Sequence, residues 1–242
     1  MREVRVGTSG WSYDHWRGRF YPEDLGTAKR LSYYCQKFDT VEVNSSFYHL
    51  PRETTFEKWR DSTPERFVFS VKASRYITHV KKLAGVEEAV QRFMQRATRL
   101  GSKLGPVLWQ LPPQLKRNDE KLEGFLSILP EGFEHVFEFR DRSWICQEVV
   151  DLLDRYDVSF CSISSPEIVT DLMVSGPIGY LRMHGRGSWY GSNYTTDELR
   201  QWAEKIRDTF SRCDRWFVYF NNDANAYAVY NALELRSMLE SF

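Results

Sequence analysis

The sequence has little cysteine, no net charge and no long apolar run, and each shortage closes off a class of protein. Four cysteines in 242 residues, Cys35, Cys146, Cys161 and Cys213, are far apart and form no C-x-x-C pair. That gives no disulfide framework and no thiolate metal motif. Most sit within apolar runs, where a thiol is usually a small buried hydrophobe, so a cytoplasmic setting is expected. Lys+Arg and Asp+Glu both total 33, and no global field draws the chain to nucleic acid or an acidic membrane. No apolar stretch approaches the length needed to cross a bilayer. Met1-Arg2-Glu3-Val4 leads straight into a strand-like segment rather than a signal peptide. H-x-x-x-H and D-x-D spacings are absent too, which disfavours a divalent metal, and no cofactor is expected. Nothing resembling a linker divides the chain, so one domain over residues 1–242 is expected.

What the sequence has instead is a regular alternation. Short runs rich in β-branched and aromatic residues recur at residues 4–10, 40–46, 67–73, 106–112, 135–140, 158–163, 178–185 and 216–222. Between them lie stripes at helical spacing, such as Val86, Val90, Phe93, Ala97 and Leu100, or Leu199, Trp202, Ala203, Ile206 and Phe210. Thr195 and Glu198 form a capping box, Asn118 or Asp119 can cap another helix, and Gly101 sits where a helix should stop. Strands that alternate with helices pair in parallel, because parallel neighbours need a crossover. Eight such units in this length predict a single (β/α)8 TIM-like barrel. The sixth helix, around Pro166–Met173, is weakly patterned, which keeps an open doubly wound parallel sheet as the alternative.

Residues two apart on a strand share a face. Val41 and Val43 then oppose Glu42 and Asn44, and Phe69 and Val71 oppose Ser70 and Lys72. Phe137 and Phe139 oppose Glu138 and Arg140, Leu181 and Met183 oppose Arg182 and His184, and Val218 and Phe220 oppose Tyr219 and Asn221. Thr8 and Gln110 complete the expected inward set. Burying such charges without partners costs several kcal/mol each, roughly. Two explanations compete: a self-neutralising ion-pair network that closes the core, or a site at the carboxyl-terminal rim, where barrel active sites are built.

Aromatics make up 15% of the chain, and many fall in the loops after these strands. Loop one carries Trp11, Tyr13, His15, Trp16, Arg17, Phe20 and Tyr21, loop two Phe47, Tyr48 and His49, and loop three Arg75, Tyr76, His79, Lys81 and Lys82. Loop seven, residues 185–194, mixes glycines with Trp189, Tyr190 and Tyr194 in the manner of a lid. Some of these rings pack loops onto a barrel; others, beside Arg and Lys, suit a flat ring attached to an anionic group.

Several motifs together resemble the domain of unknown function 72 (YecE-like) family. They include Gly7-Thr8-Ser9-Gly10-Trp11-Ser12-Tyr13, Thr40 through Tyr48, Phe69-Ser70-Val71-Lys72, Gln110-Leu111-Pro112-Pro113, Glu138-Phe139-Arg140, Arg182-Met183-His184-Gly185 and Tyr219-Phe220-Asn221-Asn222-Asp223. The resemblance implies a TIM-like barrel and no particular reaction. One stretch departs from the family: after Asp223 this chain has Ala224-Asn225-Ala226 where glycine is frequent.

The expected function is an enzyme acting on a small phosphorylated or otherwise anionic, ring-containing substrate. Lys72, Arg140 and Arg182 would clamp the anion. Glu138 or Glu42 would serve as general acid or base, with His184 as the second proton carrier. Asn44, Gln110 and Asn221 would orient hydroxyls, and Trp11, Tyr48, His79, Tyr219 and Asn222 would complete the binding set with Thr8. A Schiff base on Lys72 is a further, less favoured chemistry. A nucleic-acid ligand and a non-catalytic binding barrel are the alternatives, and no membrane partner is expected.

Overall fold

A computed structural model describes residues 2–241. The alternating apolar runs form eight parallel strands: β1 (Glu3–Thr8), β2 (Thr40–Val43), β3 (Val68–Lys72), β4 (Leu104–Gln110), β5 (His135–Glu138), β6 (Ser159–Ser164), β7 (Gly179–Met183) and β8 (Arg215–Phe220). Their order around the sheet is β1-β8-β7-β6-β5-β4-β3-β2. This is a (β/α)8 barrel, not the open sheet. Around it lie α1 (Arg30–Tyr34), α2 (Ser45–Tyr48), α3 (Glu53–Asp61), α4 (Glu87–Ala97), α5 (Asp119–Leu126), α6 (Gln147–Arg155), α7 (Thr196–Asp208) and α8 (Tyr227–Glu240).

The caps read from sequence form as hydrogen bonds. Asn118 Oδ1 accepts from the Lys121 amide at the start of α5. Thr195 and Glu198 make a reciprocal capping box at α7. Gly101 takes a positive φ of 59° with ψ −133° in the short 3-10 segment after α4, a region open to glycine but not the left-handed cap itself. Two elements differ from expectation. α3 buries little besides Phe56, so it has too few apolar residues to show a stripe. Between β6 and β7 there is no helix. That crossover instead runs back along β6, where the Ser162 hydroxyl accepts from the Met173 amide and Thr170 Oγ1 accepts from the Ile163 amide.

The core has two layers. Most apolar side chains lie between strands and helices. A smaller group fills the barrel lumen: Leu108, Val136, Cys161, Ile178, Tyr180, Phe217 and Tyr219. The lumen residues fix the parity of each strand. Leu108 and Val136 inside place Gln110, Glu138 and Arg140 inside as well, higher up. Tyr180 inside does the same for Arg182 and His184.

β1 and β2 close the ring, and here the ladder is thin. The two strands share one isolated bridge, Ser9 with Glu42, and one backbone bond, from the Gly10 amide to the Glu42 carbonyl at 2.8 Å. Gly7 permits their approach, since a Cβ there would lie 2.5 Å from the Thr40 carbonyl oxygen. Below the bridge, the Tyr34 hydroxyl of α1 stands in for a ladder bond. It accepts from the Thr8 amide at 3.0 Å and donates to the Thr40 carbonyl at 3.1 Å.

Tyr34→Phe removes that hydroxyl and leaves both buried backbone groups without a partner. We expect a loss of about 1–3 kcal/mol in urea unfolding, with little change in the slope of the transition. A loss within the error of the extrapolation would show that the seam holds without Tyr34.

Candidate functional site

The inward residues at the carboxyl ends of the strands form one hydrogen-bonded chain. Arg182, on β7, is its centre. Its Nη2 donates to Glu42 Oε1 on β2 at 2.7 Å, and its Nη1 donates to Glu138 Oε2 on β5 at 2.5 Å. Glu42 also accepts from the Ser9 hydroxyl at 2.6 Å and from the Tyr180 hydroxyl at 2.7 Å. The second oxygen of Glu138 accepts from Arg140 Nε. Arg140 Nη2 then donates to His184 Nε2 at 2.9 Å, and the Asn221 amide lies 3.1 Å from His184 Nδ1. Glu42, Glu138, Arg182 and His184 are fully buried.

This geometry sets the protonation states. Burial alone would raise the carboxyl of Glu138, but the two guanidiniums hold it well below the usual range. Burial, together with Arg140 and Arg182, pushes His184 well below an ordinary imidazole. His184 is therefore neutral. Glu138 has no proton to give at neutral pH, and the His184 Nε2 lone pair is already engaged, so neither is free for the acid–base role expected of it. Arg182 likewise is not an open anion clamp: both of its terminal nitrogens are taken by carboxylates.

Lys72 stands apart. Its side chain is 9% exposed, and its Nζ lies 4.1 Å from the centre of the Phe47 ring. Among the described residues no carboxylate comes within 4.0 Å of it. Burial first, and then repulsion from Arg182, lowers its pKa from 10.5 to about 7, against the pull of Glu138 and Glu42. The neighbouring His79 is lowered to about 4 by burial and by Lys72. His79 packs edge-on to Phe47 at 4.9 Å.

The mouth above is lined with rings. Trp189 of loop seven lies 4.8 Å above the Arg140 guanidinium and 5.3 Å from the His184 ring. Tyr48 is 65% exposed. Trp11 packs edge-on against Trp59 at 5.3 Å. Beside them a cavity of about 230 Å³ runs between loops one and two, lined by Trp11, Tyr13, Asn44 and Trp59. The Asn44 Oδ1 is buried without a partner. Other loop rings are plainly structural, since Trp16 and Tyr21 are buried and fasten loop one to the barrel.

Three expected binding residues are placed elsewhere. Thr8 faces the helices, bonded to Tyr34, because Val4, Val6 and Thr8 share the outer face; Ser9, just after β1, is the residue at the rim. Tyr219 points inward but one layer too low, with its hydroxyl 2.6 Å from Thr40 Oγ1. Asn222 points outward, and its Nδ2 donates to the Ser192 carbonyl and to Asn231 Oδ1, each at 2.9 Å. It ties loop seven to α8. Ser9 and Tyr180 join the network beyond the expected set; Tyr180 is two residues before Arg182 on the same face, and Ser9 lies on the face opposite Val4, Val6 and Thr8. Gln110 lies in register with Glu138 on the inner face.

Comparison with known proteins agrees with this fold. The family model described as "Protein of unknown function DUF72" matches residues 5–242. The chain belongs to the DUF72 family. Among curated proteins it resembles UPF0759 protein YunF of Bacillus subtilis, 27% identical over 98% of this chain and 95% of that one. It also resembles UPF0759 protein YecE of Escherichia coli, 30% identical over 57% of this chain and 48% of that one. The crystal structure of a DUF72 protein from Thermotoga maritima superposes with a TM-score of 0.90, at 30% identity, covering 98% of this chain and 99% of the other. In this DUF72 member, the stretch after Asp223 puts two non-glycine residues in left-handed backbone, Asn225 at φ 55° and Ala226 at φ 61°. An L residue strains there, and a glycine would not.

Among the described residues, no group of three or more His, Cys, Asp or Glu side chains is arranged to hold a metal ion. No helix among them is long and apolar enough to cross a membrane.

Arg182 and Lys72 predict opposite stability effects. Arg182→Met strands Glu42 and Glu138, and we expect a loss of about 3–5 kcal/mol. Lys72→Met should cost little near pH 7, because folding there must strip a proton from the lysine. The folded pKa lies below the unfolded one, so that penalty is full below about pH 7 and fades as the pH climbs toward 10.5. Wild type should therefore gain on Lys72→Met by about 1.4 kcal/mol per pH unit within that window. Urea unfolding of both variants between pH 6.5 and about 9.5 checks this, and a difference that does not change with pH would refute it.

Proposed function

We propose that the barrel mouth binds a small anionic molecule carrying a flat ring, and that Lys72 is the group exchanging a proton with it. The carrying observation is the charge balance. Glu42 and Glu138 against Arg140 and Arg182 already sum to zero. Protonating Lys72 adds a positive charge with no local partner, and a bound anion supplies one. Arg140 adds a second donor, since its Nη1 carries no hydrogen bond among the described residues. Its guanidinium face is covered by Trp189, leaving the edge for an anion. Phe47, Tyr48 and Trp189 offer faces and edges to a ring beside that charge.

Acid–base chemistry on such a substrate needs a group that titrates near neutrality. With Glu138 held ionised and His184 held neutral, Lys72 at about 7 meets that requirement. An anion that does not react with the amine raises the lysine's pKa, so that complex takes up a proton near pH 7.

Titration calorimetry with nucleotides, sugar phosphates and short single-stranded oligonucleotides tests this. We expect a small ring-bearing phosphate to bind, its affinity to fall as the pH rises above about 7, and Lys72→Met to weaken it about ten- to a hundredfold. Affinity that grows with oligonucleotide length and collapses with salt would assign the mouth to nucleic acid instead. Failure of every compound to bind would remove the proposal.

A further inference from the structure

Lys72 combines three features: a stem buried in the end of β3, a nitrogen at the mouth of the barrel, and no hydrogen-bond or ionic partner among the described residues. A lysine that served only to bind charge would be expected to sit against a carboxylate when the site is empty. Here the two nearby carboxylates are turned to Arg182, Arg140, Ser9 and Tyr180. All four carboxylate oxygens are engaged, and the network is neutral, without the ammonium. It thus tolerates Lys72 as a free amine, which keeps its lone pair at the site where a ligand arrives.

We propose that Lys72 is a nucleophile that condenses with the carbonyl carbon of an aldehyde or ketone bearing an anionic group, the anion resting at the edge of Arg140. The proposal deepens the anionic-ligand function given above and rests on it. The Nζ lone pair attacks the carbonyl carbon, and the π pair moves to oxygen. That oxygen takes up the proton shed by nitrogen, giving a carbinolamine. The carbinolamine loses its oxygen as water, with a proton from solvent, and leaves a protonated C=N bond. One positive charge is created, and the substrate's own anion balances it. The iminium thus balances the bound anion, which the free amine left unbalanced. The ring of Phe47, 4.1 Å from Nζ, offers its face to the iminium as it does to the ammonium.

Burial and the neighbouring guanidiniums support the same step. At neutral pH they leave about a thousandfold more free amine on Lys72 than on an ordinary lysine. That should be visible as selectivity.

The probe is pyridoxal 5′-phosphate, a flat aldehyde with a phosphate. The full chain is incubated with it, reduced with borohydride to fix any imine as a secondary amine, and mapped by peptide mass spectrometry. We expect the adduct on Lys72 in about tenfold or greater excess over any other lysine. Inorganic phosphate should suppress it, and uncharged benzaldehyde should label Lys72 far less. In Lys72→Arg the cation remains, so inorganic phosphate should still bind by calorimetry while trapping at this position disappears. Adducts spread over the surface lysines, or equal labelling by benzaldehyde, would overturn the imine. If phosphate binds but Lys72 stays unlabelled, the imine fails and the anion site stands. If neither occurs, both fail. Should Lys72→Arg not fold, mapping of the wild-type chain alone decides.

Discussion

The Arg182 guanidinium, held between Glu42 and Glu138, is the interaction on which the mouth of this barrel depends. Three strands far apart in the sheet order, β2, β5 and β7, meet through it. A buried guanidinium is costly to desolvate, and only well-placed carboxylates make up the difference. The carboxylates therefore need their own partners, and they have them: Ser9 and Tyr180 on Glu42, Arg140 on Glu138. Each partner in turn fixes another group. Tyr180 is the top of the apolar lumen, Ser9 is part of the seam between β1 and β2, and Arg140 orients His184.

That network divides the charged rim into a paired row and an unpaired one. Arg182, Glu42 and Glu138 are an inaccessible foundation, in which every carboxylate oxygen and both terminal nitrogens of Arg182 are engaged and the Arg182 Nε alone lacks a partner. What faces the mouth is the second row, namely Lys72, the free edge of Arg140, and the rings of Phe47, Tyr48 and Trp189. The foundation matters chemically all the same. Because it is neutral as a unit, it leaves Lys72 unpaired in a poorly solvated place, and that is what lowers the lysine's pKa. A single surplus carboxylate in the network would have turned Lys72 into an ordinary ion-pair partner.

Loop seven is fastened to the barrel rim along its length. Asn222 and Asn231 fasten Ser192 and Tyr194 near its far end, and Tyr194 reaches the Gly185 amide at its start. The tip, with Trp189 over Arg140, is attached by its indole N–H to Glu167 at 3.2 Å. The middle of the loop is held too, by the Tyr190 amide on the His184 carbonyl at 2.9 Å and the Ala224 amide on the Tyr190 carbonyl at 3.2 Å.

The barrel and its polarity are legible in the order of residues. Eight runs of period two, separated by helical stripes, can close only with parallel strands, and alternation along each run assigns the inner face. That is why Glu42, Lys72, Gln110, Glu138, Arg140, Arg182, His184 and Asn221 group together on periodicity alone. Where the count slips by one, at Thr8 and Ser9, the face is lost, since a shift of one residue exchanges inside for outside. Depth is not legible: Tyr219 has the right parity, but strand stagger puts it a layer below the rim. Nor is pairing. Which carboxylate holds which cation depends on distances across the lumen between strands up to 140 residues apart in the chain, and no local pattern encodes them. That Arg182 is occupied and Lys72 is free follows only from how the strands meet across the lumen.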